Sequence, residues 1–343
     1  MEVLNIGENV VHEVVIVGAG IAGLAVAIAL KNVGIKSLVL EKSSELRSTG
    51  AALLILQNAW RALEVLGISE KLDKHYKDFQ LATGCITNLV TGSRQEFSML
   101  AGSSSTGKRM MRPIHRKFLM ETLAAELPPE SIRFLCKLSS VKSEVSEDFS
   151  TVTVLEMEDG SVFRAKVHQE IARDPEMVKN DVLKTAKDFP PEYHQVVSNC
   201  DPSTLTMAPL LFRVPWDIIF GPSHHGGVTV TGDAFHPMTP DLGQGGCSAL
   251  EDAVVLARNI ANMPDNVCYA IENYVKERRW RAARLVTASY FSGVLEPCQS
   301  RGVFGRLWES FRQYAFNWLV HSKYGTLNYD CGTLSSAQNF SLN

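Results

Sequence analysis

Two glycine-rich stretches hold the residues whose types and spacing could do chemistry. Gly18-Ala19-Gly20-Ile21-Ala22-Gly23 follows the β-branched run Glu13 to Val17 and opens an apolar segment. In that setting Gly18 permits a tight turn, Gly20 lets a pyrophosphate touch bare backbone, and Gly23 allows close packing of helix on strand. The positive end of the helix dipole then faces the phosphates. Glu41, with Lys42 beside it, closes the next strand. A carboxylate at that place accepts hydrogen bonds from a ribose hydroxyl pair and repels a 2′-phosphate. The spacing predicts a site for an unphosphorylated dinucleotide, FAD or NAD, and does not separate the two.

The second stretch is "VTVTGDAFHPMTPDLGQGGCSALEDA", Val228 to Ala253. FAD is long, so its adenosine half and its ribityl chain and ring need separate stations. Gly232-Asp233, at the end of the expected strand Val228 to Thr231, puts a carboxylate within reach of a polyol hydroxyl. The turn Gly243-Gln244-Gly245-Gly246 then presents unpaired N–H groups at a helix start, where they stabilise negative charge on a flavin's N1–C2=O side. An NAD site needs no second station, so the pair of motifs predicts FAD.

Short elements must position these stations. Glu13 to Val17 and Ser37 to Leu40 read as buried parallel strands flanking a helix, Ile21 to Val33, that is apolar nearly all round. "STGAALLILQNAWRALEVLG" reads as a loop and then a helix, and "FQLATGCITNLVTGSRQEFSML" as an antiparallel hairpin about Thr91-Gly92. "RPIHRKFLMETLAAELP" reads as a helix closed by Pro128-Pro129, and "SIRFLCKL" as a strand. "STVTVLEMEDGSVFRAKV" is a hairpin with Asp159-Gly160 as a two-residue turn. "HQEIARDPEMVKNDVLKTAKDF" is polar and helical, "LTMAPLLFRVPW" reads as a strand, and helices are expected around Ala249 to Ile260 and Val267 to Tyr290.

Composition narrows the class. With 343 residues, 45% hydrophobic, the chain can bury a sizeable core. A net charge of -3 and scattered Lys and Arg give no reason to expect nucleic acid or an acidic membrane as partner. The one dense basic cluster, "KERRWR" at Lys276 to Arg281, is expected as a solvated helix face. Seven widely spaced cysteines without a CxxC pair point to reduced thiols, and no signal-like or membrane-spanning run is visible, so a cytoplasmic location is expected. Phe304 to Val320, the most lipid-like stretch, is interrupted by Arg306, Glu309 and Arg312 and reads as an amphipathic helix. No His/Cys cluster has metal spacing, and Ser248 lacks a nucleophile elbow, which disfavours metalloenzyme and hydrolase chemistry.

The motifs "VGAGIAGLA", "LEKSSELRSTGAAL", "NAWRALEVLG", "RPIHRKFLMETLAAELP", "TGDAFHPMTPDLGQGGCSALEDAVVLA" and "YDCGTL" run over nearly the whole chain. Together they resemble the FAD-dependent aromatic-ring monooxygenases of the para-hydroxybenzoate and salicylate hydroxylase type, closest in look to their plant single-component branch. The resemblance implies a glutathione-reductase-like α/β nucleotide domain, a reduced antiparallel substrate sheet and C-terminal helices. It implies that Arg47 and Arg116 approach the FAD phosphates or ribityl chain, that Asp233 meets the ribityl chain, and that Pro240 meets the flavin ring. Gly243 to Gly246 would line the pyrimidine edge. His236 invites a general-base role, yet a structural one is expected. The implied activity is NAD(P)H-driven hydroxylation of a small aromatic or cyclic substrate by O₂ through a flavin C4a-hydroperoxide, with NADH and NADPH not separated.

The expected division places a first FAD-binding segment at 10–75, a substrate-sheet hairpin at 76–105, and a second FAD-binding segment with its β-hairpin at 106–167. A remnant of the substrate domain follows at 168–220, a third FAD-binding segment at 221–262, and a C-terminal helical region at 263–343. The family's parallel strand ending in an Asp-Gly pair has no match here, because Asp159-Gly160 lies in a hairpin turn. After Lys166-Val167, where that strand should follow, the chain enters "HQEIARDPEMVK", so an internal block is expected to be lost. Two readings stay open: an active hydroxylase with a rebuilt pocket, and a shortened, non-catalytic form acting as a weak flavin binder or interaction protein.

Overall fold

A computed structural model describes residues 12–46, 52–76, 83–87, 94–98, 111–145, 151–165, 212–293 and 329–334. Strand β1 (Val14–Val17) pairs in parallel with β2 (Ser37–Leu40), Val14 opposite Ser37 and Val17 opposite Leu40. Helix α1 (Ile21–Asn32) connects them, buried continuously from Gly23 to Leu30. β2 continues the parallel pairing to β7 (Ile132–Arg133), giving the order β1-β2-β7.

Each face of this sheet has its cover. On one side lies α1. On the other, Leu155 and Met157 pack against Val15, Leu38 and Leu40. Those two residues belong to an antiparallel meander of β8 (Leu138–Val145), β9 (Thr151–Met157) and β10 (Val162–Ala165). A sheet covered on both faces wants apolar residues at successive positions, which explains the unbroken Val-Val-Ile-Val of β1.

α1 is the hub because an all-round apolar helix must be enclosed. It packs against α4 (Arg116–Ala124) and α6 (Gly245–Asn262), and α6 packs in turn against α2 (Gln57–Val65) and α7 (Val267–Gly293). One apolar core thus runs through residues from Val14 to Val286 and takes in Cys331. Smaller pieces surround it: α3 (Ser69–Tyr76), the hairpin of β4 (Thr83–Thr87) and β5 (Arg94–Ser98), the helix α5 (Pro215–Phe220), and the short pair β11 (His224–His225) and β12 (Val228–Thr229).

Several sequence expectations need correction. Ala52–Ile55 is a strand, β3, paired antiparallel with β6 (Arg112–His115). The "RPIHRKF" segment is therefore strand up to His115 and helix only from Arg116. The strand expected over "SIRFLCKL" is two residues long before β8 begins. The strand at Val228 stops at Thr229, and Val214-Pro215-Trp216 leads into α5 because proline suits a first helical turn. The Asp159-Gly160 hairpin holds, with a three-residue loop. Met157 N–H donates to the Ser161 carbonyl at 2.8 Å, and Gly160 takes φ +83°, the left-handed position such loops need. The Thr91-Gly92 turn, the segment 166–211 and Phe304 to Val320 lie outside the described residues.

Candidate functional site

The first glycine turn is built as its spacing predicts. Gly18 takes φ +99° and donates its N–H to the Leu40 carbonyl at 2.7 Å, closing the turn onto β2. A Cβ on Gly23 would sit 2.0 Å from the Gly18 carbonyl oxygen, so only glycine fits there. Gly20 is the N-cap of α1 in extended conformation, and a Cβ on it would meet nothing within 4 Å. The space above Gly20 is thus open, and no side chain among the described residues caps the helix. Glu41 is buried, its Oε2 accepting from Ala19 N–H at 2.8 Å and its Oε1 from Ser43 N–H at 3.0 Å. The acid grips the glycine turn itself, with Lys42 next to it. Arg47 lies outside the described residues.

The second turn lies directly beside the first. A Cβ on Gly232, which takes φ +58°, would come within 2.8 Å of the Ala22 methyl carbon, and one on Gly246 within 3.8 Å of Ile21 Cδ1. The opening turns of α1 and α6 therefore converge. Gly243 takes φ +60° to reverse the chain after Pro240, and Gln244 becomes the N-cap of α6. Asp233 and Pro240 are exposed at this mouth, and Asp233 Oδ1 lies 3.7 Å from where a Gly245 Cβ would be. Arg116 opens α4 directly after β6, whose partner strand β3 brings Leu54 to 3.6 Å from where a Gly243 Cβ would be.

These residues fit a dinucleotide. Two uncapped helix starts face one region, and Gly20 leaves room over its backbone. The Gln244 Nε2 and Arg116 Nε atoms are buried without a hydrogen-bond partner in the protein. Buried donors of this kind want an acceptor.

Beneath the second turn lies a charge network that sequence reasoning missed. Arg278 and Arg281, expected on a solvated face, are buried on α7 and meet Glu251 and Asp252 of α6. Arg278 Nε donates to Asp252 Oδ1 at 2.7 Å, and its Nη2 donates to Ser248 Oγ at 2.9 Å. Its Nη1 lies 2.7 Å from Glu251 Oε2, close for an ion pair though off-line for a hydrogen bond. Arg281 grips Glu251 through two nitrogens, at 2.7 and 2.6 Å. Asn58 of α2 donates to Glu251 Oε1 at 2.6 Å and to Gln244 Oε1 at 3.0 Å. The other Asp252 oxygen accepts from Gly232 N–H at 2.8 Å and from His236 Nε2 at 2.6 Å. The network therefore holds both the Gly232 turn and the N-cap of α6. His236 is fully buried within it.

Burial pushes the Glu251 and Asp252 carboxyls up. Arg278 and Arg281 beside Glu251, and His236 and Arg278 beside Asp252, nevertheless hold both below their ordinary values of 4.5 and 3.8. A carboxyl with a lowered folded-state value contributes stability above its unfolded value and loses it as pH falls through the folded one. The stability these groups add should be complete above about pH 5 and should fall away below about pH 4. Urea midpoints from pH 3 to 7 check this. In an Arg278→Met protein the acid-dependent drop should shrink.

Comparison with known proteins points to FAD as the cofactor. The FAD binding domain family matches residues 11–166 and 215–289. Monooxygenase 2 of Arabidopsis thaliana is 28% identical over 412 aligned residues, covering 94% of this chain and 98% of that protein. Monooxygenase 1 of the same plant is 31% identical over 363 residues, covering 82% and 89%. Among solved structures, Klebsiella pneumoniae HpxO complexed with FAD and uric acid shares the fold with a TM-score of 0.67 at 20% identity, covering 89% of this chain and 93% of that one. The 412 aligned positions of Monooxygenase 2 exceed the 343 residues present, so at least 69 of them stand opposite gaps.

Proposed function

Since the chain belongs to the family of FAD-dependent aromatic-ring monooxygenases, we propose that it hydroxylates a small aromatic or cyclic substrate with O₂, driven by NADH or NADPH. The observation that carries this reading is the convergence of the α1 and α6 N-termini, with Gly232 against Ala22 and Gly246 against Ile21. When bound, FAD supplies the two-electron redox chemistry and the activation of O₂. The uric acid held by HpxO accords with a small ring as substrate.

The protein's own role is to hold and to shield. Gly18, Gly20 and Gly23 would admit the pyrophosphate to the α1 N-terminus, where dipole and N–H groups favour its charge. Glu41 would take the ribose hydroxyls, with Lys42, Arg47 and Arg116 near the phosphates or ribityl chain. Gly232 and Asp233 would meet the ribityl chain and Pro240 the ring. Gly243, Gln244, Gly245 and Gly246 would bring N–H donors to the pyrimidine edge, stabilising negative charge there. His236, locked to Asp252, supports the turn and does not handle the substrate's proton.

A second reading is favoured by the sheet. Among the described residues the sheet ends at β1, β12 pairs only with β11, and no parallel strand ends in an Asp-Gly pair. Under this reading the chain binds flavin and turns nothing over. Purified protein should be yellow, and its oxidation of NADH or NADPH should rise with a cognate aromatic that gains an oxygen atom from ¹⁸O₂. Flavin-loaded protein whose oxidation of both nucleotides ignores every aromatic tested would establish the second reading in place of the first.

A further inference from the structure

The segment Tyr329 to Leu334 is held to the body of the protein by several independent contacts. The Tyr329 carbonyl accepts from Arg61 Nη1 at 3.2 Å, and the Cys331 carbonyl accepts from Arg258. Cys331 itself is buried in the main core, and Gly332 takes φ +79° where a Cβ would strike the Arg258 guanidinium. These anchors set the Tyr329 ring over the buried arginines, 4.2 Å from Arg281 Cζ and 5.1 Å from Arg278 Cζ. An aromatic face at that range attracts a guanidinium, more strongly where water is excluded. Its hydroxyl donates to Glu277 Oε1 at 3.2 Å.

We propose that Tyr329 is a positioning residue for the Gly232-Asp233 turn, acting through Arg278 and Asp252. The path is continuous. The ring lies over the Arg278 guanidinium, Arg278 Nε donates to one oxygen of Asp252, and the other oxygen of Asp252 holds the Gly232 N–H. Gly232 has a left-handed φ and packs so near Ala22 that an added Cβ would come within 2.8 Å of its methyl carbon, so a shift in Asp252 changes how the turn sits against α1. A segment far along the chain thereby sets the geometry of the ribityl station. The inference rests on the assignment of that turn to the flavin site.

The test uses the full chain with Tyr329→Ala and Tyr329→Phe, and with Leu72→Val in the fully buried core of α3 as a control for general destabilisation. Two quantities are read: FAD affinity by flavin fluorescence quenching, and hydrogen exchange of the peptide containing Gly232 in flavin-free protein. Tyr329→Ala should weaken FAD binding about tenfold and speed exchange at Gly232 by a similar factor. Tyr329→Phe keeps the ring and should restore both, and Leu72→Val should alter neither. If Tyr329→Ala only lowers the melting temperature, leaving affinity and Gly232 exchange at wild-type values, the proposal is overturned. Should the wild type itself fail to bind FAD, the flavin assignment falls, and Gly232 exchange alone decides the coupling.

Discussion

Gly20→Ala should fold as stably as the wild type and bind FAD roughly 10- to 100-fold more weakly, from about 1–3 kcal/mol of steric conflict with the pyrophosphate. The expectation follows from two facts about one position. Gly20 has an extended backbone that any residue can adopt, and a Cβ there meets no protein atom within 4 Å. The protein tolerates the methyl group; a phosphate in the same space does not. Gly23→Ala is the contrasting case, since its Cβ would lie 2.0 Å from the Gly18 carbonyl oxygen, and there stability and FAD binding should fall together. Unfolding midpoints and FAD titration on the two variants separate a binding glycine from a packing glycine.

Arg278→Met should cost about 3–5 kcal/mol of stability, because it leaves buried carboxylates short of a positive charge. Against a total of about 5–15 kcal/mol this is a large fraction. Arg278 is fully buried and reaches Glu251, Asp252 and Ser248, so water cannot replace it without opening the α6–α7 interface. Urea unfolding at neutral pH should show a lower midpoint with an unchanged slope. Adding Glu251→Gln should recover some of the loss, since the excess buried negative charge is then reduced. A midpoint within experimental error of wild type would mean that the arginine is solvated.

The β1-α1-β2 unit was legible because several signals agreed: a β-branched run, glycines at fixed spacing, and a helix too apolar to face water. β3 was not legible. "AALLIL" is a short apolar run that periodicity alone assigns to neither strand nor helix, and its pairing partner β6 is distant in sequence. β6 was hidden by Pro113, which argues against a central strand. Among the described residues β6 pairs only with β3, and a strand at a sheet edge tolerates Pro113.

The charge network shows the limit from the other side. "KERRWR" has the composition of a solvated face, and five of its six residues are basic or acidic. The available signal lay elsewhere, in Glu251-Asp252, two acids set within the otherwise apolar "SALEDAVVLA" of α6. Buried carboxylates demand cations, and Arg278 and Arg281, three apart on the next helix, share the face that supplies them. The Tyr329 contact depends on the tertiary path of a remote segment, which no local pattern encodes.

The central claim is that the starts of α1 and α6 hold opposite halves of one FAD. Calorimetric titration of FAD and of ADP into the wild type, Gly20→Ala and Gly246→Ala tests it directly. Gly246 tolerates a Cβ, with Ile21 Cδ1 at 3.8 Å, so its substitution acts on the ligand and not on the fold. Gly20→Ala should weaken FAD and ADP alike, and Gly246→Ala should weaken FAD while leaving ADP untouched. FAD affinity unmoved by Gly246→Ala, or lost in Gly246→Ala together with that of ADP, would contradict the account.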